Sequence, residues 1–191
     1  VVFVVAIVVS AAFGGADQYL GSFAALPWAA GVSLLSAPWL ILPFAFGCSQ
    51  RQARRAIAMG AVVTFSALVG YFVMTLSPFE GGRSSLDLVA TRALLRSELP
   101  VIVGGVVTGP LYGWLGQRWR TRRAWLSAAL VAGAVCLEPL AEVIVGRLPQ
   151  EPIVWRVEVA SGVALAALFV VAGVVYRHRV TTRGLESGAA A

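Results

Sequence analysis

The sequence predicts an all-α, polytopic membrane protein: a six-transmembrane-helix bundle with a short amphipathic helix on its outer side. Three observations carry that expectation. Hydrophobic residues make up 59% of the 191-residue chain and charged residues 13%, where soluble domains run at about 45–50% and about 25%. The apolar residues fall in runs long enough to span, since a helix needs about 20 residues to cross about 30 Å of hydrocarbon. The arginines gather in short clusters between those runs, as in loops on the cytoplasmic side of a membrane. A mean hydropathy of +0.83 excludes a soluble globule, a disordered chain and a disulfide scaffold.

Taken in order, the first span covers Val1 to about Gly15 and ends at Asp17-Gln18-Tyr19. Its opening residues lack the basic n-region of a signal peptide, so a spanning helix is expected, leaving open whether residue 1 is its true start. Ser22–Gly31, with Pro27 and Trp28, reads as an interfacial connection. The second span is expected over Val32–Cys48, kinked at Pro38 and Pro43. After Arg51, Arg54 and Arg55, the third runs over Ala56–Leu76 and is stopped by Ser77-Pro78 and Gly81-Gly82.

An amphipathic segment follows. Ser84-x-x-Asp87 resembles a capping box, and Leu86, Val89, Ala90, Ala93 and Leu94 keep helical spacing while Arg92 and Arg96 take another face. It is expected to lie on the outer membrane surface, as a packing lid or as a gate. The fourth span opens at Pro100, a favoured first-turn residue, and ends near Gly116, ahead of Arg118, Arg120, Arg122 and Arg123. The fifth covers Ala124 to about Gly146 and the sixth about Ile153 to Tyr176, before Arg177, His178, Arg179 and Arg183. The domain expected is a single membrane unit over 1–183, with 184–191 a disordered cytoplasmic tail.

Orientation follows from the arginines. Ten lie in the three clusters and five in the opposite loops, which also carry Asp17, Glu80, Asp87, Glu98 and Glu151. The excess places the clusters and both termini in the cytoplasm of a bacterial cell. The formal charge of +6 is thereby absorbed by topology. No soluble basic domain is left to bind nucleic acid.

Glu138-Pro139-Leu140-Ala141-Glu142 in the fifth span is the principal candidate for chemistry. Glu138 stands nine residues from Arg147, about 14 Å along a helix. An ionised acid at the bilayer centre costs about 2.5–3.5 kcal/mol. It persists when neutral, paired or facing a polar cavity. Glu142 shares its face, and Pro139 frees the Val135 carbonyl. Acids beside a broken helix suit a proton or cation site. Two readings stand side by side. In one, Glu138, Glu142 and Asp17 form a ligand-binding cluster. In the other, Glu142 pairs with Arg147 or Arg156, Glu138 bonds a hydroxyl of Thr108, Tyr112 or Tyr71, and Asp17 is interfacial.

Gly105, Gly109 and Gly113, four apart, fall on one helix face and are assigned to helix packing. Similar spacings recur at Ala12/Ala16, Ser66/Gly70 and Ala129/Gly133. Trp28, Trp114, Trp119, Trp125 and Trp155 are expected at the interfaces and Trp39 deeper. Enzyme chemistry is not expected. His178 is the one histidine, and HExxH and GxSxG are absent. Cys48 and Cys136 read as small buried hydrophobes. No catalytic residue, metal site or cofactor is assigned.

With this topology the chain resembles a family of small six-span membrane proteins from actinobacteria, known only as a domain of unknown function. The resemblance rests on Phe13-Gly14 with Tyr19-Leu20-Gly21, on the run from Ala37-Pro38-Trp39 to Phe44, and on Gly109-Pro110-Leu111-Tyr112-Gly113 before an Arg-rich loop. The acid in span five and Trp155 at the start of the last span complete it. It implies six spans and carries no activity across. In size and span number the chain is also similar to substrate-binding subunits of energy-coupling-factor transporters, with Ala12-x-x-x-Ala16 in the place of their docking spacing. Two functions are therefore expected: a small solute- or ion-binding transport protein, or a non-catalytic membrane subunit packed against a partner protein. The lipid bilayer is the surrounding partner in both, and a proton, cation or small solute the ligand in the first.

Overall fold

The computed structural model describes residues 1–23, 26–77, 88–122, 125–144 and 152–189. Eight helices make up the architecture of these residues, and none of them lies in a strand. They are α1 (Val2–Gly21), α2 (Pro27–Ser33), α3 (Ala37–Cys48), α4 (Ala53–Thr75), α5 (Leu88–Ser97), α6 (Leu99–Arg122), α7 (Trp125–Ile144) and α8 (Pro152–Ala189). Four apolar stretches, Val2–Gly21, Ala53–Thr75, Leu99–Arg122 and Ile153–Val175, are long and apolar enough to cross a membrane. Ala37–Cys48 and Trp125–Leu140 are shorter apolar helices.

Successive apolar helices alternate in direction. Ala6 clusters with Met59 and Val63, and Gly14 and Gly15 lie against Ala67 and Gly70, so α1 and α4 run the same way. The backbone of α6 passes α4 in the opposite sense, with Gly113 by Ala56 and Gly105 by Thr64. Along α7 and α8, Trp125 meets Gly173 and Cys136 meets Gly162, again antiparallel.

Small residues decide where backbones touch. A side chain on Gly113 would run into the Ala56 carbonyl and the Gly60 backbone, and one on Gly109 into Thr64 and the Gly60 carbonyl. Gly105 takes the Thr64 methyl. The three glycines thus form one face against α4, where hydrogen at Cα lets two helices approach to backbone contact. On α1 the packed face is Ala6, Ser10, Gly14 and Asp17, while Ala12 and Ala16 are exposed. Gly133 has nothing near it, so the Ala129/Gly133 spacing makes no close contact there.

Side chains fill the space between α3, α6, α7 and α8. Phe44, Tyr112, Leu115, Trp119, Val131 and Phe169 form one buried cluster. Trp119 is 6% exposed and stands edge-on to Phe169 and Trp125, with centroids 4.8 and 5.8 Å away. It is a core residue, against the interfacial place expected for it, because the rings of Trp125 and Phe169 pack against it. Trp28, by contrast, is half exposed.

The second expected span is not one helix. Residues 34–36 interrupt it, α2 takes up Pro27–Ser33 where a connection was expected, and α3 begins at Ala37. Pro38 explains the start. It lacks an N–H and is tolerated in a first turn, where the amide is unpaired anyway. Pro43, Pro110 and Pro139 lie inside continuous helices. Helix α5 occupies the expected amphipathic segment, and its proposed cap at Ser84 and Asp87 lies outside the described residues. The backbone of α8 is helical through Ala189. Nothing between Arg183 and Ala189 is a proline that would stop it.

Candidate functional site

The two ends of α3 are held by an acid at one end and a guanidinium at the other. At its start the Ser36 backbone N–H donates to Glu138 Oε1 of α7. At its end Arg120 of α6 donates from Nη1 to the Cys48 and Ser49 carbonyls at 2.8 and 2.9 Å. Gln117 reaches the next turn, its Nε2 donating to the Arg51 carbonyl at 3.0 Å. A helix leaves unpaired N–H groups at its start and carbonyls at its end, with partial charges of about +0.5 and −0.5. An acid at the first and a guanidinium at the second is the favourable arrangement. It suits a 12-residue helix, which has few internal bonds to offset its ends.

Glu138 therefore has a different partner from the hydroxyls weighed above. Thr108 donates back to the Gly104 carbonyl of its own helix at 2.9 Å. Tyr71 stands edge-on to Trp39 and Phe72, and Tyr112 belongs to the core cluster. Glu138 lies six residues before Ile144, the last residue of α7, about 9 Å along the axis. The Glu142 side chain lies outside the described residues.

Asp17 is 7% exposed. Trp39 in the first turns of α3 donates from Nε1 to Asp17 Oδ2 at 3.1 Å. The indole is set edge-on to Phe13 and to Tyr71, with centroids at 5.4 and 6.2 Å. Asp17 thus approaches the start of α3 from α1 while Glu138 approaches it from α7.

A third carboxylate, which the sequence reading left aside, stands at the same level. Glu158 of α8 is 3% exposed. With Ser161 it lines a cavity of about 380 Å³ between α1, α3, α7 and α8. Phe13, Leu35, Ile41, Val135 and Val157 form apolar walls. Glu158 lies six residues past Pro152, about 9 Å into the helix. The rule that singled out Glu138, an acid inside an apolar run, applies equally to Val157-Glu158-Val159-Ala160. Glu138 and Asp17 do not line this cavity, but they bind Ser36 and Trp39 on either side of Ala37 and Pro38, which do.

Most of the charge is segregated along the bundle. Asp17, Glu138 and Glu158 gather at the end where α3 starts, together with Arg156, and Arg51, Arg54, Arg55, Arg118, Arg120 and Arg122 at the end where it stops. Arg118 lies over the Trp114 ring at 4.6 Å, a cation–π contact. Among the described residues no three His, Cys, Asp or Glu side chains are grouped to hold a metal ion.

Residues 1–190 match a family described as a family of unknown function (DUF6518). No curated protein and no solved structure matches the chain.

Proposed function

Because the chain belongs to the DUF6518 family, to which no activity is attached, we propose its function from the site: a small solute- or ion-binding transport protein of the membrane, not an enzyme. In this reading α1, the interrupted pair α2–α3, α4, α6, α7 and α8 are six spans, as in the actinobacterial family the sequence resembles. The arginine-rich end and both termini face the cytoplasm of a bacterial cell, and the carboxylate end faces outward. Proton, cation or small solute is the ligand; no cofactor and no nucleic acid takes part.

The observation that carries this reading is the cavity beside an interrupted span. Its volume of about 380 Å³ falls within the range of about 300–1,000 Å³ for small-molecule sites. Carboxylates border it on a helix start, and discontinuous helices are where secondary transporters place their substrates. Asp17 and Glu138 fix the start of α3, and Glu158 faces the ligand space. Glu142, four residues past Glu138 in the sequence, is proposed to belong to the same ligand group.

The test is thermal unfolding of the protein in lipid nanodiscs against a panel of monovalent cations and small metabolites, with Ser161→Trp, which fills the cavity, run in parallel. A ligand at 100 times its dissociation constant stabilises the folded state by about 2.7 kcal/mol. A shift seen in the wild type and lost in Ser161→Trp supports the reading. A flat response to the whole panel sinks it.

One observation favours a second reading, a membrane subunit docked to a partner as in energy-coupling-factor transporters. Ala12 and Ala16 are exposed on the face of α1 away from α4, and small residues permit close helix approach. A stoichiometric second protein in native mass spectra, released by Ala16→Leu, would favour that reading over transport.

A further inference from the structure

We infer that the arginine end of the bundle binds an anionic phospholipid, with Arg51, Arg54 and Arg55 on its phosphate and its chains along the exposed flank of α4. The inference takes from the reading above only that α4 and α6 span a membrane, and it does not depend on the cavity.

Charge complementarity comes first. Helices α3, α4 and α6, and residues 49–52 between the first two, contain no Asp or Glu. No acid of these elements can pair with their arginines. Two of the arginines have partners of another kind. Arg120 donates to the Cys48 and Ser49 carbonyls, and Arg118 lies over the Trp114 ring. Arg51, Arg54 and Arg55 are exposed. They fall within five residues, at and just before the first turn of α4, the end of a helix where an anion is favoured over a cation. Gln117 of α6 donates to the Arg51 carbonyl, so the turn that carries them is tied to the bundle. Guanidinium groups crowded on a fixed turn suit a phosphate, whose oxygens accept their N–H groups in pairs.

The flank below selects a lipid. Arg54 heads a stripe of α4 in which Ile57, Ala61, Phe65, Val69 and Val73 follow at steps of three or four residues, all exposed. Such steps keep to one helix face. Phe65 is 68% exposed, so no described helix covers that face. Helix α6 repeats the pattern. Val103, Val107 and Leu111 are exposed and lead by the same steps to the half-buried Trp114 and to Arg118. On both helices the apolar flank gives way to arginine at the same end of the bundle, and an indole stands at the change, where such rings meet lipid headgroups. A free phosphate would use the arginines and leave the stripe uncovered. A zwitterionic lipid would cover the stripe and bring its own cation to the arginines. An anionic phospholipid complements both, as basic clusters at the ends of spanning helices do elsewhere.

The experiment reconstitutes the full chain in phosphatidylcholine vesicles and checks its entry by flotation. A trace of spin-labelled phosphatidylglycerol or spin-labelled phosphatidylcholine of the same chains is then added, and the fraction immobilised at the protein is read by electron paramagnetic resonance. Phosphatidylglycerol is expected to associate about 5-fold or more tightly than phosphatidylcholine. In the Arg51→Gln, Arg54→Gln, Arg55→Gln triple variant that preference is expected to fall to within about 2-fold, and in Arg156→Gln, at the acidic end, to stay as in wild type. Equal association of the two lipids with wild type overturns the inference. So does a preference that the triple variant keeps, or that Arg156→Gln loses equally. Displacement of the lipid by an equal concentration of sn-glycerol 3-phosphate assigns the arginines to a soluble anion and overturns the lipid. The comparison of headgroups uses wild type alone, so a triple variant that fails to fold does not remove the test. A chain that does not float with neutral vesicles overturns the spanning reading; one that floats and shows no preference overturns this inference alone.

Discussion

Between α4 and α6 the backbones touch, at Gly60, Gly109 and Gly113; between α3 and the pair α7–α8, itself close-packed where Gly162 meets Cys136, they stand apart and leave a cavity of about 380 Å³. The first interface is made of residues without side chains, so it has one geometry and no room. The second is made of Phe44, Val131 and Phe169 toward the arginine end, and toward the acidic end it opens around Glu158. The difference teaches where a binding site can be built. A helix pair in backbone contact is a fixed frame, and a ligand space needs helices held apart by side chains and anchored at their ends by polar contacts.

The sharpest way to break that comparison is Gly113→Leu. The new side chain meets the Ala56 carbonyl and the Gly60 backbone, neither of which can move without separating α4 from α6. The expected loss is about 3 kcal/mol, the upper end for overpacking, read as a lower melting temperature and less monodisperse protein in detergent. A Gly113→Leu protein as stable as wild type would mean that the frame is not fixed by glycine contact.

A middle-sized effect comes from the anchor. Glu138→Leu removes the acceptor of the Ser36 N–H and is expected to cost about 1–3 kcal/mol. Glu138→Gln keeps an acceptor oxygen and is expected to stay within about 0.5 kcal/mol of wild type. Equal losses in the two variants would show that the charge, and not the hydrogen bond, holds α3. The smallest effect sharpens the contrast from the loose side. Gly133 meets nothing that a methyl group would touch, so Gly133→Ala is expected to stabilise α7 by about 0.5–1 kcal/mol through helix propensity alone. A loss of stability in denaturant titration would show close packing there.

Periodicity and composition carried much of the fold. The long apolar runs that became α1, α4, α6 and α8 were legible, because an uninterrupted run of that length reads the same in any context. The second run was misread at residues 34–36, because Pro38 is compatible both with a kink in a long helix and with the first turn of a new one. What selects the second is an acid from α7, 102 residues away in sequence, waiting at Ser36. Trp119 was misplaced for a related reason. Its position beside an Arg-rich loop suggests an interface, and only the return of Trp125 and Phe169 buries it.

The candidate site was half legible. Glu138 and Asp17 stood out as acids in or beside apolar runs. Nothing in their sequence spacing says that they attach to the two sides of one helix start, while the carboxylate lining the cavity is Glu158.

The sequence by itself determined that the chain is built from apolar helices, in what order they come, and that most arginines gather at the end opposite most of the acids. These follow from transfer free energies and charge, which each residue brings with it. Tertiary structure alone decided that α3 starts at Ala37, that Arg120 closes its far end, and that Glu158 shares a cavity with Phe13 and Val135. Those depend on which helix face meets which. That choice rests on contacts between residues far apart in the chain, such as Gly47 against Gly113, and local propensity does not encode them.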